Sequence, residues 1–332
     1  MNAYDLVRAE VMIRGYDARW ADDAEQYDVV AIEAEFRSKL TNPDTGASSR
    51  TWTLAGKLDG ILRERGGEKR TLLIEHKTSS ADVGPGSDYL KRLRLDGQVS
   101  IYYAGAAALG HQLDGVIYDV LIKPSRRPLR ATPPEARKFT KDGRLYANQR
   151  EVDESPEEYR DRLIEAVSEA PNEHFVRAEV VRLETEVKDG LADVWAWGQT
   201  LREAESTGRH PRNPDACVRY GSTCPFFPVC TGEASLEDAT LYRRSEVLHP
   251  ELNTNADDRL LSSSRLSSAR ACQRLHRLTY IEGYRPAEDA DALRFGSLIH
   301  LALEAWWLAP QSQRLDAALA TLNPSPAILA AG

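Results

Sequence analysis

The sequence predicts an α/β fold, a central mixed β-sheet flanked by helices, and three observations carry the prediction. Residues 27–40 and 51–62 read as two strands separated by the turn-forming segment Asn42-Pro43-Asp44-Thr45-Gly46. In the first, an apolar run passes into alternation through Ile32, Ala34 and Phe36; a third apolar run, Thr71 to Ile74, follows closely. A helical stretch starting near Asp96 and stopping at Gly110 then precedes a further strand, Val116 to Ile122. Strands interleaved with helices in this way build one mixed sheet rather than separate all-α and all-β halves.

The remaining elements follow in order. Residues 3–20 form an amphipathic helix, with Leu6, Val7, Ala9, Val11, Met12 and Ile13 giving a broad apolar face. Residues 156–170 and 185–208 are helical, the second carrying Trp195 and Trp197. Residues 209–235, rich in Cys, Pro, Gly and aromatics, resemble a compact ligand-bound loop. A polar stretch precedes two further helices, Ser262 to Tyr280 and Phe295 to Trp307, and a short tail. The domain organisation this gives is a core over 1–245 that includes a three-cysteine loop, a linker over 246–261, and a segment 262–332 packing on the same domain. No internal repeat is present.

Composition excludes little but narrows the class. With 332 residues, 42% hydrophobic and 28% charged, the chain has enough apolar material for a core. No stretch reaches the roughly 20 apolar residues a bilayer requires, and the charged N-terminus lacks a signal-peptide segment. A cytoplasmic protein is expected. The net charge of −8 argues against a nucleic-acid partner only if it is spread evenly. Residues 121–150 hold nine cations against two carboxylates, a net of +7. Such a strip reads either as a solvated loop or as a holder of phosphates.

The chemistry-bearing pattern is GKLDG (56–60) followed by LIEHKTS (73–79). Asp59 ends one strand, and Glu75 and Lys77 are one residue apart on the next. Period-2 geometry therefore puts Glu75 and Lys77 on one face and turns His76 away. Two converging carboxylates suit a hard divalent cation such as Mg²⁺. Lys77 would orient or deprotonate a water and add positive charge at the transition state. By spacing alone the pattern is also that of an ordinary solvated strand pair. Its context adds weight: Asp59 is bracketed by glycines, and Glu75 and Lys77 end a buried-type run where an unpaired charge is costly.

Four cysteines are present. Cys217, Cys224 and Cys230 fall within CVRYGSTCPFFPVC, at intervals of six and five intervening residues, and Cys272 stands apart in SSARACQRLHRL. Neither interval is the CxxC of a zinc ribbon. Four thiolates from one loop and a distant helix suit an iron–sulfur cluster, with buried free thiols or structural zinc as the other readings.

These motifs resemble a known family. GKLDG, LIEHKTS and QVSIY (98–102) are similar to three successive motifs of the RecB-like branch of PD-(D/E)XK nucleases, which includes CRISPR-associated four-cysteine nucleases and many phage proteins. The resemblance implies a restriction-endonuclease-like core with an Fe–S-braced helical lobe. It makes Asp59 and Glu75 metal ligands for Mg²⁺ or Mn²⁺, Lys77 the catalytic lysine, and Gln98 and Tyr102 the Q-x-x-x-Y pair that positions DNA. It assigns Cys217, Cys224, Cys230 and Cys272 to a 4Fe-4S cluster. ALRFGSLIHLALEAWW (292–307) resembles the segment supplying a metal-binding histidine, His300 here, with Gly296 as the close-packing residue and Glu304 one turn on. The His76 carbonyl is a further possible ligand.

In the family that histidine segment precedes the acidic motifs; here it follows them. A circular permutant, a segment-swapped dimer, or one nuclease domain followed by the truncated start of another would each explain the order. Permutation is the reading that uses every part once. The expected activity is phosphodiester hydrolysis on single-stranded DNA or DNA ends by an exonuclease, alongside a helicase or recombination partner, as monomer or swapped dimer. Lys91, Arg92 and Arg94 add a phosphate contact near the active-site helix. A non-catalytic, Fe–S- or zinc-stabilised nucleic-acid-binding module is the alternative.

Overall fold

A computed structural model of the chain describes residues 2–219, 222–252 and 259–322. The tail 324–332 and the middle of the 246–261 segment lie outside the described residues. Five strands form the body of the sheet in sequence order: β1 (Tyr27–Thr41), β2 (Ser48–Glu64), β3 (Thr71–Ser79), β4 (Gly115–Ile122) and β5 (Phe175–Val180). β2 runs antiparallel to both β1 and β3, β3 and β4 are parallel, and β4 and β5 are antiparallel. The sheet is therefore mixed. β3 covers only Gly60–Arg63 of the long β2, and a short strand β6 (Leu260–Leu261) pairs parallel with β2 further along, at Thr53 and Leu54.

Helices cover both faces. On one side lie α1 (Ala3–Arg19) and α3 (Pro156–Glu169), joined by α6 (Asp291–Leu308) and α7 (Arg314–Leu322). On the other lie α2 (Gly97–Ala108), α4 (Glu184–Thr207) and α5 (Ser263–Ala271). The alternation of β3 shows how the sequence sorts itself. Leu72 and Ile74 enter the core under α1 and α6, whereas Leu73 enters the core under α2. Continued by one residue at a time, the alternation puts His76 with the first set, and Glu75 and Lys77 with the second.

α1 starts at Asn2, whose side chain accepts from the backbone N–H of Asp5, and buries Ala9, Val11, Met12, Ile13 and Tyr16. α6 buries Phe295, Ile299, Leu303, Trp306 and Trp307, each buried aliphatic or Phe side chain contributing about 1.5–3 kcal/mol. The Trp306 indole N–H donates to Asp17 at 2.8 Å, tying α6 to α1. α2 lies so close to β1 that a Cβ on Gly105 would sit 2.5 Å from the Phe36 ring. Among the described residues no helix is long and apolar enough to cross a membrane.

One expected helix is broken. Residues 262–280 do not run as a single helix: α5 ends at Ala271, Cys272 is extended (φ −163°, ψ 122°), and helical structure resumes at Gln273. The Asn213 side chain supplies the reason, donating to the Ala271 carbonyl at 2.9 Å while its backbone N–H meets Cys272 Sγ at 3.4 Å. An inserted partner that captures the last carbonyls ends a helix. β5, β6 and α7 are not among the elements expected from the sequence.

Candidate active site

The β2–β3 ladder stops at Gly60 and Ile74, so Asp59 and Glu75 occupy the point where the two strands part. The Asp59 carboxylate accepts from the His76 backbone N–H at 2.8 Å, filling the place the next ladder bond would take. Glu75 is 1% exposed. Its Oε1 pairs with the Lys77 ammonium and accepts from Gln98 Nε2 at 3.3 Å. Its Oε2 is buried with no hydrogen-bond partner among the described residues. The Gln98 amide also donates to the Tyr102 hydroxyl one helical turn on. Asp96 caps α2 by accepting from the Gln98 N–H at 2.9 Å, and this fixes where the turn carrying Gln98 begins.

His76 faces the other way, as the alternation requires. Its Nδ1 lies 3.1 Å from Asp119, within a buried network under α1. There the Tyr16 hydroxyl donates to Asp119 at 2.6 Å, and Arg177 bridges Asp119 and Asp23. Burial pushes the Asp119 carboxyl up, but Arg177 and His76 outweigh it and hold it at about 2. No sequence signal pointed to this network. Its members come from four separate segments.

α6 brings His300 over the end of the sheet, with Nδ1 3.6 Å from Asp59 Oδ2. Burial, with His76 and Lys77 nearby, lowers the imidazole to about 4, so it stands neutral with a lone pair available at neutral pH. Gly296 meets the sheet at Thr78, where an added Cβ would be at an ordinary 3.6 Å. Close packing does not explain that glycine, contrary to expectation. Glu304, on the same face, lines the cavity near Lys57 and Glu33.

Glu33 is the residue the sequence did not single out. It lies opposite Asp59 in the β1–β2 register, between the pairs Ile32–Gly60 and Ala34–Leu58, and its backbone is left-handed at φ +51°. A non-glycine residue in that region carries strain that surrounding structure must offset. Glu33, Asp59 and His300 each present a ligand atom within 4.8 Å of the others. Lys57 forms an ion pair with Glu33. The only advance signal was the Glu33–Asp59 register, which the turn between β1 and β2 decides.

Glu33, Lys57, Asp59, Glu75, Lys77, Gln98, Tyr102, His300 and Glu304 open into one cavity of about 660 Å³, walled by β1, β2, β3, α2 and α6. Burial and the neighbouring Glu75 push the Asp59 carboxyl well above the usual carboxylate range. Burial depresses Lys77, but Glu75 and Asp59 outweigh it and hold its ammonium above the usual lysine range. Among the described residues the cavity lining thus gathers more carboxylates than Lys57 and Lys77 offset.

Cys217, Cys224, Cys230 and Cys272 meet at a separate small cavity walled by Phe226, Phe227, Leu275 and Leu278. Among the described residues no three of their sulfurs lie within 4.8 Å of one another. Four thiolates on one zinc ion would be about 3.8 Å apart, given Zn–S bonds near 2.3 Å. Burial raises the Cys224 and Cys230 thiols.

Residues 2–231 and 260–327 match the family model of the PD-(D/E)XK nuclease superfamily. The chain belongs to this superfamily. No curated protein matches it. A solved structure described as "Crystal structure of SSO0001" is 17% identical over 52% of this chain and 77% of that one, with a TM-score of 0.19. A score that low carries no argument about fold. Membership implies a nuclease, and nucleases of this superfamily typically use Mg²⁺ or Mn²⁺. The donor set fits such an ion. Carboxylate oxygens predominate, the Oε2 of Glu75 is bare, Asp59 is crowded by like charge, and His300 is neutral.

Proposed function

We propose that the chain is a Mg²⁺- or Mn²⁺-dependent deoxyribonuclease that hydrolyses phosphodiester bonds, acting as an exonuclease on single-stranded DNA or DNA ends. One observation carries the reading: Asp59, Glu75, Lys77, Gln98, Tyr102 and His300 open into a single cavity although they come from four elements. Asp59, Glu75 and His300 would hold the ion, with the His76 carbonyl and Glu33 as further ligands. The ion would supply positive charge to the scissile phosphate and to the attacking water.

The chain's own residues do the rest. Lys77, held protonated by the two carboxylates, places a cation at the negative charge growing on the phosphate. Glu75 orients that ammonium through their ion pair. Gln98 holds Glu75 from α2 and is itself braced by Tyr102, so the catalytic pair is supported from a rigid helix.

The out-of-order histidine segment reads as a circular permutation within one domain. Its helix α6 packs on α1, β1 and β3 of the same chain. The converging cysteines would hold a 4Fe-4S cluster that pins α5 and the Cys272 turn to the 209–235 loop. What supports this is that all four cysteines line one small apolar cavity. The setting would be cytoplasmic recombination, repair or phage DNA metabolism beside a helicase or recombination partner.

The test is degradation of labelled single- and double-stranded DNA with Mg²⁺ or Mn²⁺, using Lys77→Ala as control. Ion-dependent cleavage abolished in the variant is expected. Intact substrates, or equal cutting by Lys77→Ala, overturn the reading. For the cluster, anaerobically purified protein should absorb near 400 nm and Cys272→Ser should lose that band; a colourless wild type counts against it.

A further inference from the structure

The basic segment after β4 is left without a role by the site. It starts where β3 and β4 end. The Lys123 N–H donates to the Ser79 carbonyl at the end of β3, and the Lys123 ammonium lies 4.6 Å over the Phe295 ring, beside the cavity-lining Gly296. Its stem is fixed. Glu154 accepts from the Leu129 N–H at 2.8 Å and pairs with Arg162, the Tyr159 hydroxyl donates to the Arg126 carbonyl, and the Tyr4 hydroxyl donates to the Glu154 carbonyl.

Beyond the stem, residues 138–146 close into a tight hairpin. Thr140 N–H meets the Arg144 carbonyl at 2.7 Å, and Tyr146 N–H meets the Lys138 carbonyl at 3.2 Å. Gly143, at φ +73°, makes the turn. This register pairs Phe139 with Leu145 on one face and sets Lys138, Arg144 and Tyr146 on the other. Phe139 is 54% and Tyr146 48% exposed, so both rings are open to a ligand. Among the described residues Lys138, Lys141 and Arg144 form no ion pair, whereas Arg130 and Arg150 of the stem do.

We propose that this hairpin binds single-stranded DNA, stacking an unpaired base on Tyr146 between the Lys138 and Arg144 cations and, where the strand passes to the opposite face, a second on Phe139. The proposal rests on the nuclease reading for its choice of DNA. Cations alone would hold any phosphate backbone. Aromatic faces between them select unpaired bases, because duplex bases already stack on each other. The fixed stem would then hold the hairpin on the same domain as the cavity.

The test uses the full chain with Lys77→Ala, so that bound DNA stays intact, and fluorescence anisotropy with labelled oligothymidylate and a duplex of equal charge. Adding Phe139→Ala and Tyr146→Ala should weaken oligothymidylate binding about tenfold or more while changing duplex binding little. Tyr146→Phe should keep most of the affinity, which guards against a misfolded loop. Unchanged oligothymidylate binding in the double variant, or equal losses on both DNAs, would overturn the proposal. Cleavage of a small phosphodiester by the double variant with Lys77 restored reports on the catalytic reading separately.

Discussion

His300 Nδ1 stands 3.6 Å from Asp59 Oδ2, across 241 residues of sequence. One is a histidine on an apolar helix and the other an aspartate between glycines, and neither segment alone shows that they meet. Their meeting depends on α6 being locked to α1 by the Trp306–Asp17 bond and by the apolar face that carries Ile299 and Leu303.

Removing that histidine should weaken ion binding more than it harms the fold. His300→Ala is expected to lower Mn²⁺ affinity about tenfold to a hundredfold, a range common for disturbed metal sites. Titration calorimetry reads it, with circular dichroism unchanged. Wild-type affinity in the variant would remove His300 from the ligand set.

The buried network behind His76 should be costly to break. Asp119→Ala leaves the Arg177 guanidinium partly unpaired under α1, and the expected loss is about 3–5 kcal/mol. Urea denaturation measures it. A loss below 1 kcal/mol would mean that Asp23 alone satisfies Arg177.

The protein should weaken in mild acid through His276. Burial, with the neighbouring Arg265, lowers this imidazole to about 3, and its Nε2 accepts from the Arg265 guanidinium at 3.0 Å. The folded value lies below the unfolded one of about 6.5, so the unfolded chain takes up the proton first as pH falls. This stability is complete above about pH 6.5 and declines between there and about pH 3, at up to roughly 1.4 kcal/mol per pH unit. His276→Gln should flatten that slope in denaturation measured from pH 7 to pH 5. An unaltered slope would assign acid sensitivity to other groups.

Gly105→Ala should destabilise by about 1–3 kcal/mol, because its Cβ would meet the Phe36 ring at 2.5 Å. Combining it with Phe36→Leu should recover part of the loss. Thermal melts of the two variants and the double decide, and a fully stable Gly105→Ala would show that Phe36 can move aside.

Much of the sheet and half of the site were legible because period-2 patterning is local. Leu72, Leu73 and Ile74 sort to opposite cores, and the same alternation puts Glu75 and Lys77 on the α2 face and His76 against Asp119. What stayed hidden depends on tertiary contacts. β5 is six residues long, and Arg177 and Glu179 interrupt its apolar character. Their partners, Asp119 and Arg70, belong to distant segments. Glu33 faces the cavity only because of the β1–β2 register and a strained backbone that no propensity forecasts. The break at Cys272 came from Asn213, a residue 59 positions earlier.

The placement of α6 also has a consequence for how the protein is made. One wall of the cavity, with Gly296, His300 and Glu304, leaves the ribosome more than 200 residues after Glu75 and Lys77. A nascent or prematurely terminated chain can fold its sheet and still lack that wall. Assembly of the cavity is thereby tied to translation through Glu304, which keeps shorter products from carrying a finished site.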